Sequence, residues 1–179
     1  MEAAPVKEIE RVVLVPAPDF DEFFRAEYRR VVALASVLCG RTGVAEELAQ
    51  DAFVSAYRHW ERVAQYDDPA AWVRRVVVNL ATSTLRRRAR ETRAVARLAG
   101  RRAAESARLP AVDDEFWRAV RDLPRRQAQC VALRYLEDRS ITDIAAVLGI
   151  APATVRVHLH SGRVALAACF GETLDEEPA

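Results

Sequence analysis

Residues 141–160, ITDIAAVLGIAPATVRVHLH, hold this chain to a narrow set of folds. Two apolar patterns of helical period meet at a single glycine, so two short helices must turn sharply against each other. Ser140 and Asp143 have the Ser-x-x-Asp spacing of a capping box at the start of the first. Ile144, Ala145 and Leu148 supply its apolar stripe, Gly149 takes the turn, and Pro152 suits the first turn of the next helix. Val155, Leu159, Gly162 and Leu166 then line one face at spacings of four, three and four. Packing that face leaves Arg156, Val157, His160, Ser161 and Arg163 outside, with Thr154 near the N-terminus. Such a helix-turn-helix can read duplex DNA, because arginine pairs bidentately with guanine and valine meets a thymine methyl. Free backbone N–H groups and the Thr154 hydroxyl can hold a phosphate. From this stretch alone, a helical hairpin with a solvated polar face stays open as the other reading.

The rest of the chain agrees with an all-α fold. Six glycines and eight prolines in 179 residues leave little room for a turn-rich β-protein. Asp19 is placed to cap a helix starting near Phe20, whose face carries Phe20, Phe23, Phe24, Val31, Leu34, Ala35 and Leu38. Gly40 and Gly43 punctuate its end. A second helix is expected over Val44–His59, with Leu48, Ala52, Val54, Ala56 and Tyr57 as apolar positions. Its first turns gather Glu46, Glu47, Gln50 and Asp51, which also suits the helix dipole. After a loop with a helical fragment, Asp68 and Pro69 open a third helix running to about Arg90. There Trp72, Val76, Leu80 and Thr84 recur every fourth residue and are expected to face the core. Leu109-Pro110 breaks the chain, and a second domain follows. Phe116, Trp117, Val120 and Leu123 start it, and Arg125–Leu136 follows with Ala128, Val131, Ala132, Tyr135 and Leu136 as its core.

The net charge of +1 hides an uneven distribution. Trp72 to Arg93 holds seven arginines against one glutamate, and residues 172–179 hold four acids and no base. Lys7 is the only lysine, so the positive charge is carried by planar guanidinium groups suited to phosphates and base edges. An arginine-rich codon bias explains the preference equally well. Cys39, Cys130 and Cys169 are far apart, lack zinc-ligand spacing and sit among apolar residues, so all three are expected as small buried hydrophobes. Met1 is followed by an acid rather than by a basic stretch and an apolar run. The longest uncharged run, Ile144–Val155, is too short to cross a bilayer. A cytoplasmic chain with no membrane partner is therefore expected.

Three segments together carry a resemblance to a family: AEELAQDAFVSAYRHW at 45–60, AAWVRRVVVNLATSTLRRRAR at 70–90, and LPRRQAQCVALRYLEDRSITDIAAVLGIAPATVRVHLHSGRVAL at 123–166. In order and spacing the chain resembles the extracytoplasmic-function sigma factors of bacterial RNA polymerase. The resemblance implies two small helical domains joined by a basic linker. A region 2-like domain would span residues 19–90 and a region 4-like domain residues 111–171. The linker would cover 91–110, between a flexible extension at 1–18 and an acidic tail at 172–179. It further implies that Glu46, Glu47, Gln50 and Asp51 dock on the clamp helices of the polymerase's largest subunit. The −10 element would fall to Trp60, Tyr66, Arg75, Asn79, Ser83, Arg86 and Arg87. Strand opening needs such aromatic rings, arginines and hydrogen-bonding groups to capture unstacked bases. The −35 duplex would fall to Arg156, Val157, His160 and Ser161, with Thr154 and Arg163 on phosphates. Trp72 is read as core. Ser83 stands where the family usually has an acid, and Val157 and Ser161 stand where serine and arginine are common, so a promoter sequence does not transfer from relatives.

The implied partners are core polymerase, including the flap of its second-largest subunit, promoter DNA and, by family analogy, an anti-sigma factor over the same faces. The resemblance implies neither a cofactor nor a metal. No clustered nucleophile and base, Gly-rich phosphate loop or metal set is visible, so no catalysis is expected. The alternative is a stand-alone helix-turn-helix regulator, which leaves the acidic helix, the aromatic loop and the basic helix without a task.

Overall fold

The computed structural model describes residues 19–96 and 115–171. Every regular element among them is a helix: α1 (Phe20–Cys39), α2 (Thr42–Arg58), α3 (Trp60–Val63), α4 (Pro69–Ala96), α5 (Glu115–Asp122), α6 (Arg125–Tyr135), α7 (Ile141–Leu148) and α8 (Pro152–Phe170). The local signals sit where the sequence puts them. The Asp19 carboxylate accepts the Asp21 N–H at the start of α1. Asp68 accepts the Ala71 N–H at 2.8 Å, with Pro69 as the first residue of α4. Both bonds of the Ser140–Asp143 capping box are present.

Helices α1, α2 and α4 form a bundle around Val31, Leu34, Ala45, Ala49, Ala52, Phe53, Val73 and Val77, all buried. One end is filled by a ring cluster. Trp60 lies edge-on to Phe20 with centroids 5.2 Å apart, and Phe53 lies edge-on to Phe24 at 5.0 Å. Helices α5 to α8 pack around Val120, Val131, Leu133, Ile144, Val155 and Leu159. Gly149 turns α7 into α8 at φ 64°, a left-handed conformation that glycine adopts without strain. Gly162 lets α8 approach α6 closely, since a Cβ there would meet Val131 Cγ2 at 3.0 Å.

The two halves are not separated. Their buried residues form one contiguous cluster, with α1 against α5 and α6, and α4 against α7.

Several core expectations need correction. On α4 the fully buried apolar row is Val73, Val77, Val78 and Ala81, one position along from the expected stripe, whose Trp72, Val76 and Leu80 are half-buried and do pack against the core as expected, with Thr84 half-buried beyond them. Helix α4 is covered on two sides, by α1 with α2 and by α7, so a single fourth-residue row understates its buried face. Tyr135 was expected in the core but is 51% exposed, and of the apolar positions on α2, Val54 and Tyr57 are exposed, Tyr57 keeping an edge-on contact with Phe20 of α1. Cys39 and Cys130 are buried as expected, but Cys169 is exposed near the end of α8. Helix α4 also continues to Ala96, past the expected linker start at residue 91. The expected extension at 1–18, most of the linker and the acidic tail lie outside the described residues.

Candidate nucleic-acid interface

Three surfaces carry the residues singled out in the sequence. The first is the outer face of α2. Glu46, Glu47, Gln50 and Asp51 are all exposed there. At about 100° per residue they share an arc with Val54, Tyr57 and Arg58. Ala45, Leu48, Ala49, Ala52 and Ala56 occupy the opposite arc and are buried. Tyr57 is 66% exposed and Val54 48% exposed, so the acidic face has an apolar centre. The sequence reading named these two only as apolar positions of the helix, without giving them to this face. Their spacing of three and seven residues from Asp51 and Gln50 was the available signal.

The second surface is α8. Val155, Leu159, Gly162 and Leu166 are buried, as their spacing requires. Thr154, Arg156, Val157, His160 and Arg163 are exposed, and Ser161 is half-buried. Val157 is 61% exposed between polar neighbours, an arrangement that suits a base-edge methyl contact and not packing. Ala151 offers no side-chain cap at the start of α8, so no side chain competes for its first N–H groups. His158 is half-buried.

The third surface is a stripe along α4. Trp72, Arg75, Asn79, Ser83, Arg86 and Arg90 recur every three or four residues and therefore share one side of the helix. At one end, Tyr66, Asp68, Ala71, Trp72, Arg75 and Ala146 line a cavity of about 300 Å³. At the other, Asn79, Thr82, Ser83, Arg86, Arg90, Arg125, Arg126 and Gln129 line one of about 370 Å³. No carboxylate lines this second cavity. Burial, then the neighbouring Arg86 and Arg126, hold the Arg125 guanidinium below its usual value, as expected where like charges converge.

Not all expected −10 residues lie together. Tyr66 is exposed at the first cavity, and Asn79, Ser83 and Arg86 line the second. Trp60 instead sits in the ring cluster, with Phe20 and Phe23 against it. Arg87 is exposed on the neighbouring side of α4. Arg75 donates from Nε to the Val147 carbonyl at 3.2 Å and from Nη2 to the Ala146 carbonyl. Arg90, Arg125 and Arg126 were missed, the last two because only tertiary packing brings α6 to α4.

Residues 23–91 match Sigma-70 region 2, and residues 113–166 match Sigma-70, region 4. The chain is 30% identical over 155 residues to the ECF RNA polymerase sigma factor SigM of Mycobacterium tuberculosis, covering 85% of this chain and 77% of the relative. It is 29% identical over 142 residues to the RNA polymerase sigma-E factor of Streptomyces antibioticus, covering 79% of each. Its fold is similar to that of the sigma factor RpoE of Bartonella quintana, solved with the anti-sigma factor NepR. There the TM-score is 0.71 at 23% identity, over 86% of this chain and 97% of that one.

Proposed function

This chain belongs to the extracytoplasmic-function group of the sigma-70 family, and on that premise we propose the division of labour among its three surfaces. As a sigma factor it binds core RNA polymerase and directs it to promoters, and the family is not enzymatic. The acidic face of α2 docks on the clamp helices of the polymerase's largest subunit. Carboxylates around an exposed tyrosine and valine combine electrostatic steering with an apolar anchor. The region 4-like domain also meets the flap of the second-largest subunit. An anti-sigma factor, such as the one solved with the Bartonella protein, would cover these same faces.

Helix α8 enters the major groove at the −35 element. Arg156, Val157, His160 and Ser161 face base edges, while Thr154 and Arg163 hold phosphates. The stripe of α4, with Tyr66 ahead of it, meets the −10 strand as it unstacks. Bases stack on the aromatic groups, Asn79 and Ser83 offer hydrogen bonds, and the arginines neutralise the backbone. This work is done where the polymerase is, in the cytoplasm. No single helix among the described residues is long and apolar enough to cross a membrane.

The observation that carries this reading is the split on α8, where a buried apolar row backs an exposed row of base-reading residue types. The test is transcription by bacterial core polymerase with this chain on a pool of genomic fragments, mapping RNA 5′ ends. Discrete starts that vanish without the chain are expected. Arg156→Ala should reduce initiation about tenfold or more at sites whose −35 guanine it contacts, the loss of one bidentate pair. Specific duplex binding by the chain alone, without core-dependent starts, would instead favour the stand-alone regulator.

A further inference from the structure

Helix α4 carries two kinds of arginine. Arg74 is fully buried, and its charge is matched within the protein. It pairs at 2.8 Å with Glu27 of α1 and also with Glu137 in the α6–α7 loop, whose side chain is 2% exposed. Arg86 and Arg90, further along the helix, stand in a different setting. With Arg125 and Arg126 of α6 they line the cavity of about 370 Å³, and no carboxylate is among its lining residues. Burial and the like charges of Arg86 and Arg126 hold the Arg125 guanidinium below its usual value. Guanidinium groups gathered around one space repel each other, and an anion between them turns that repulsion into attraction.

The cavity wall is ordered by a buried amide. Gln129, 3% exposed, accepts from Arg126 Nη1 at 3.1 Å and donates from Nε2 to the Thr82 hydroxyl oxygen, also at 3.1 Å. The Thr82 hydroxyl, having accepted, keeps its own proton to donate. Ser83 instead gives its proton to the Leu80 carbonyl at 2.9 Å. Asn79 adds a side-chain amide with two donors. The lining holds no aromatic ring, so a base has nothing to stack on here, unlike in the cavity of Tyr66 and Trp72.

We propose that this cavity is a binding site for a short chain of linked phosphates free in solution, whether inorganic or the tail of a nucleotide. One phosphate group carries about two negative charges at neutral pH. Four guanidinium groups therefore match two or more phosphates in a row. The planar fork of arginine suits their oxygens two at a time. Asn79, Ser83 and Arg86 are shared with the stripe assigned to the −10 strand. Arg125, Arg126 and Gln129 lie outside it, and the site does not depend on the −10 reading.

The test is calorimetric titration of the full chain, without polymerase, at physiological salt. The probes are sodium tripolyphosphate, adenosine triphosphate and sodium sulfate. Saturable binding of tripolyphosphate, one per chain, is expected, with sulfate at equal ionic strength far weaker. Arg125→Ala and Arg126→Ala should each weaken it about tenfold, the loss of one charge-assisted contact. Arg29→Ala, which removes the same charge from an exposed position on α1, should leave it unchanged. Adenosine triphosphate binding as tightly as tripolyphosphate supports recognition of the chain alone, and tighter binding identifies the nucleotide as the source. Absence of saturable tripolyphosphate binding would overturn the proposal. So would sulfate binding as tightly, or an equal loss in Arg29→Ala, since either means unspecific attraction to an arginine-rich chain. A labelled short single strand that loses affinity in Arg125→Ala while tripolyphosphate does not bind would give the cavity to a nucleic-acid backbone instead. Arg125 is exposed, so its replacement leaves the core intact, and circular dichroism checks the fold of each variant. Because no polymerase is present, the outcome is independent of the transcription assay that tests the sigma reading.

Discussion

Gly162 illustrates how one side chain's absence sets the geometry of α8. Its position lies where α8 crosses α6, and a Cβ would press on Val131 Cγ2 at 3.0 Å and touch Gln127 Cβ at 3.6 Å. Gly162→Val is expected to destabilise the second domain by about 1–3 kcal/mol through overpacking, measured as a lowered urea midpoint. The cysteines make a second contrast at this scale. Burial pushes the Cys130 thiol up to about 11, with Arg126 pulling weakly the other way. A thiolate is the reacting form, so Cys130 should stay unlabelled by iodoacetamide at pH 8 until the chain unfolds. Exposed Cys169 should label at once. Equal rates for the two would contradict the packing of α6. Sequence context alone put both among apolar neighbours. The difference arises because Cys169 lies on the outer side of the last turns of α8, which no other described helix covers.

Helix α7 depends on its cap. The Ser140 hydroxyl donates to the Asp143 carboxylate at 2.7 Å and accepts the Asp143 N–H at 3.1 Å. The first of these bonds is the main reason the Asp143 carboxyl is held below the usual carboxylate range. A carboxyl lowered on folding contributes stability that is fully present above its unfolded value and lost as pH falls through its folded value. Asp143→Asn should therefore cost stability at neutral pH, and the gap to wild type should close on acidification below the ordinary aspartate range. Denaturant unfolding at a series of pH values reads this directly, and a pH-independent gap would contradict it. Ser140→Ala should cost about 1 kcal/mol, the typical worth of an N-cap. On α2 the prediction concerns binding. Asp51→Arg should weaken association with core polymerase several-fold, more at low salt than at high, because exposed charges act mainly through steering. Tyr57→Ser should weaken it with little dependence on salt.

At the scale of the molecule, the two family regions share one buried cluster, so the described residues should unfold in a single calorimetric transition. Glu137→Gln is expected to split it into two by uncoupling the halves. Single-sided removal of a buried ion partner costs about 3 kcal/mol. An unchanged single transition would place the coupling elsewhere, in the apolar contacts of α1 with α5 and α6. The helices, most of their caps and turns, and the exposed side of α8 were legible in the sequence. Each depends on neighbours within four residues, and helical period and capping chemistry are local. The same locality explains the misplacements. Whether Tyr57 or Tyr135 is inside depends on which side of the helix another element covers, and no local pattern states that. Arg74 shows the limit most plainly. In a run of arginines it reads as one more solvent-facing charge, yet it is the largest fully buried side chain among the described residues. Its partners stand 47 residues before it and 63 after it, so only tertiary packing could bring the three charges together.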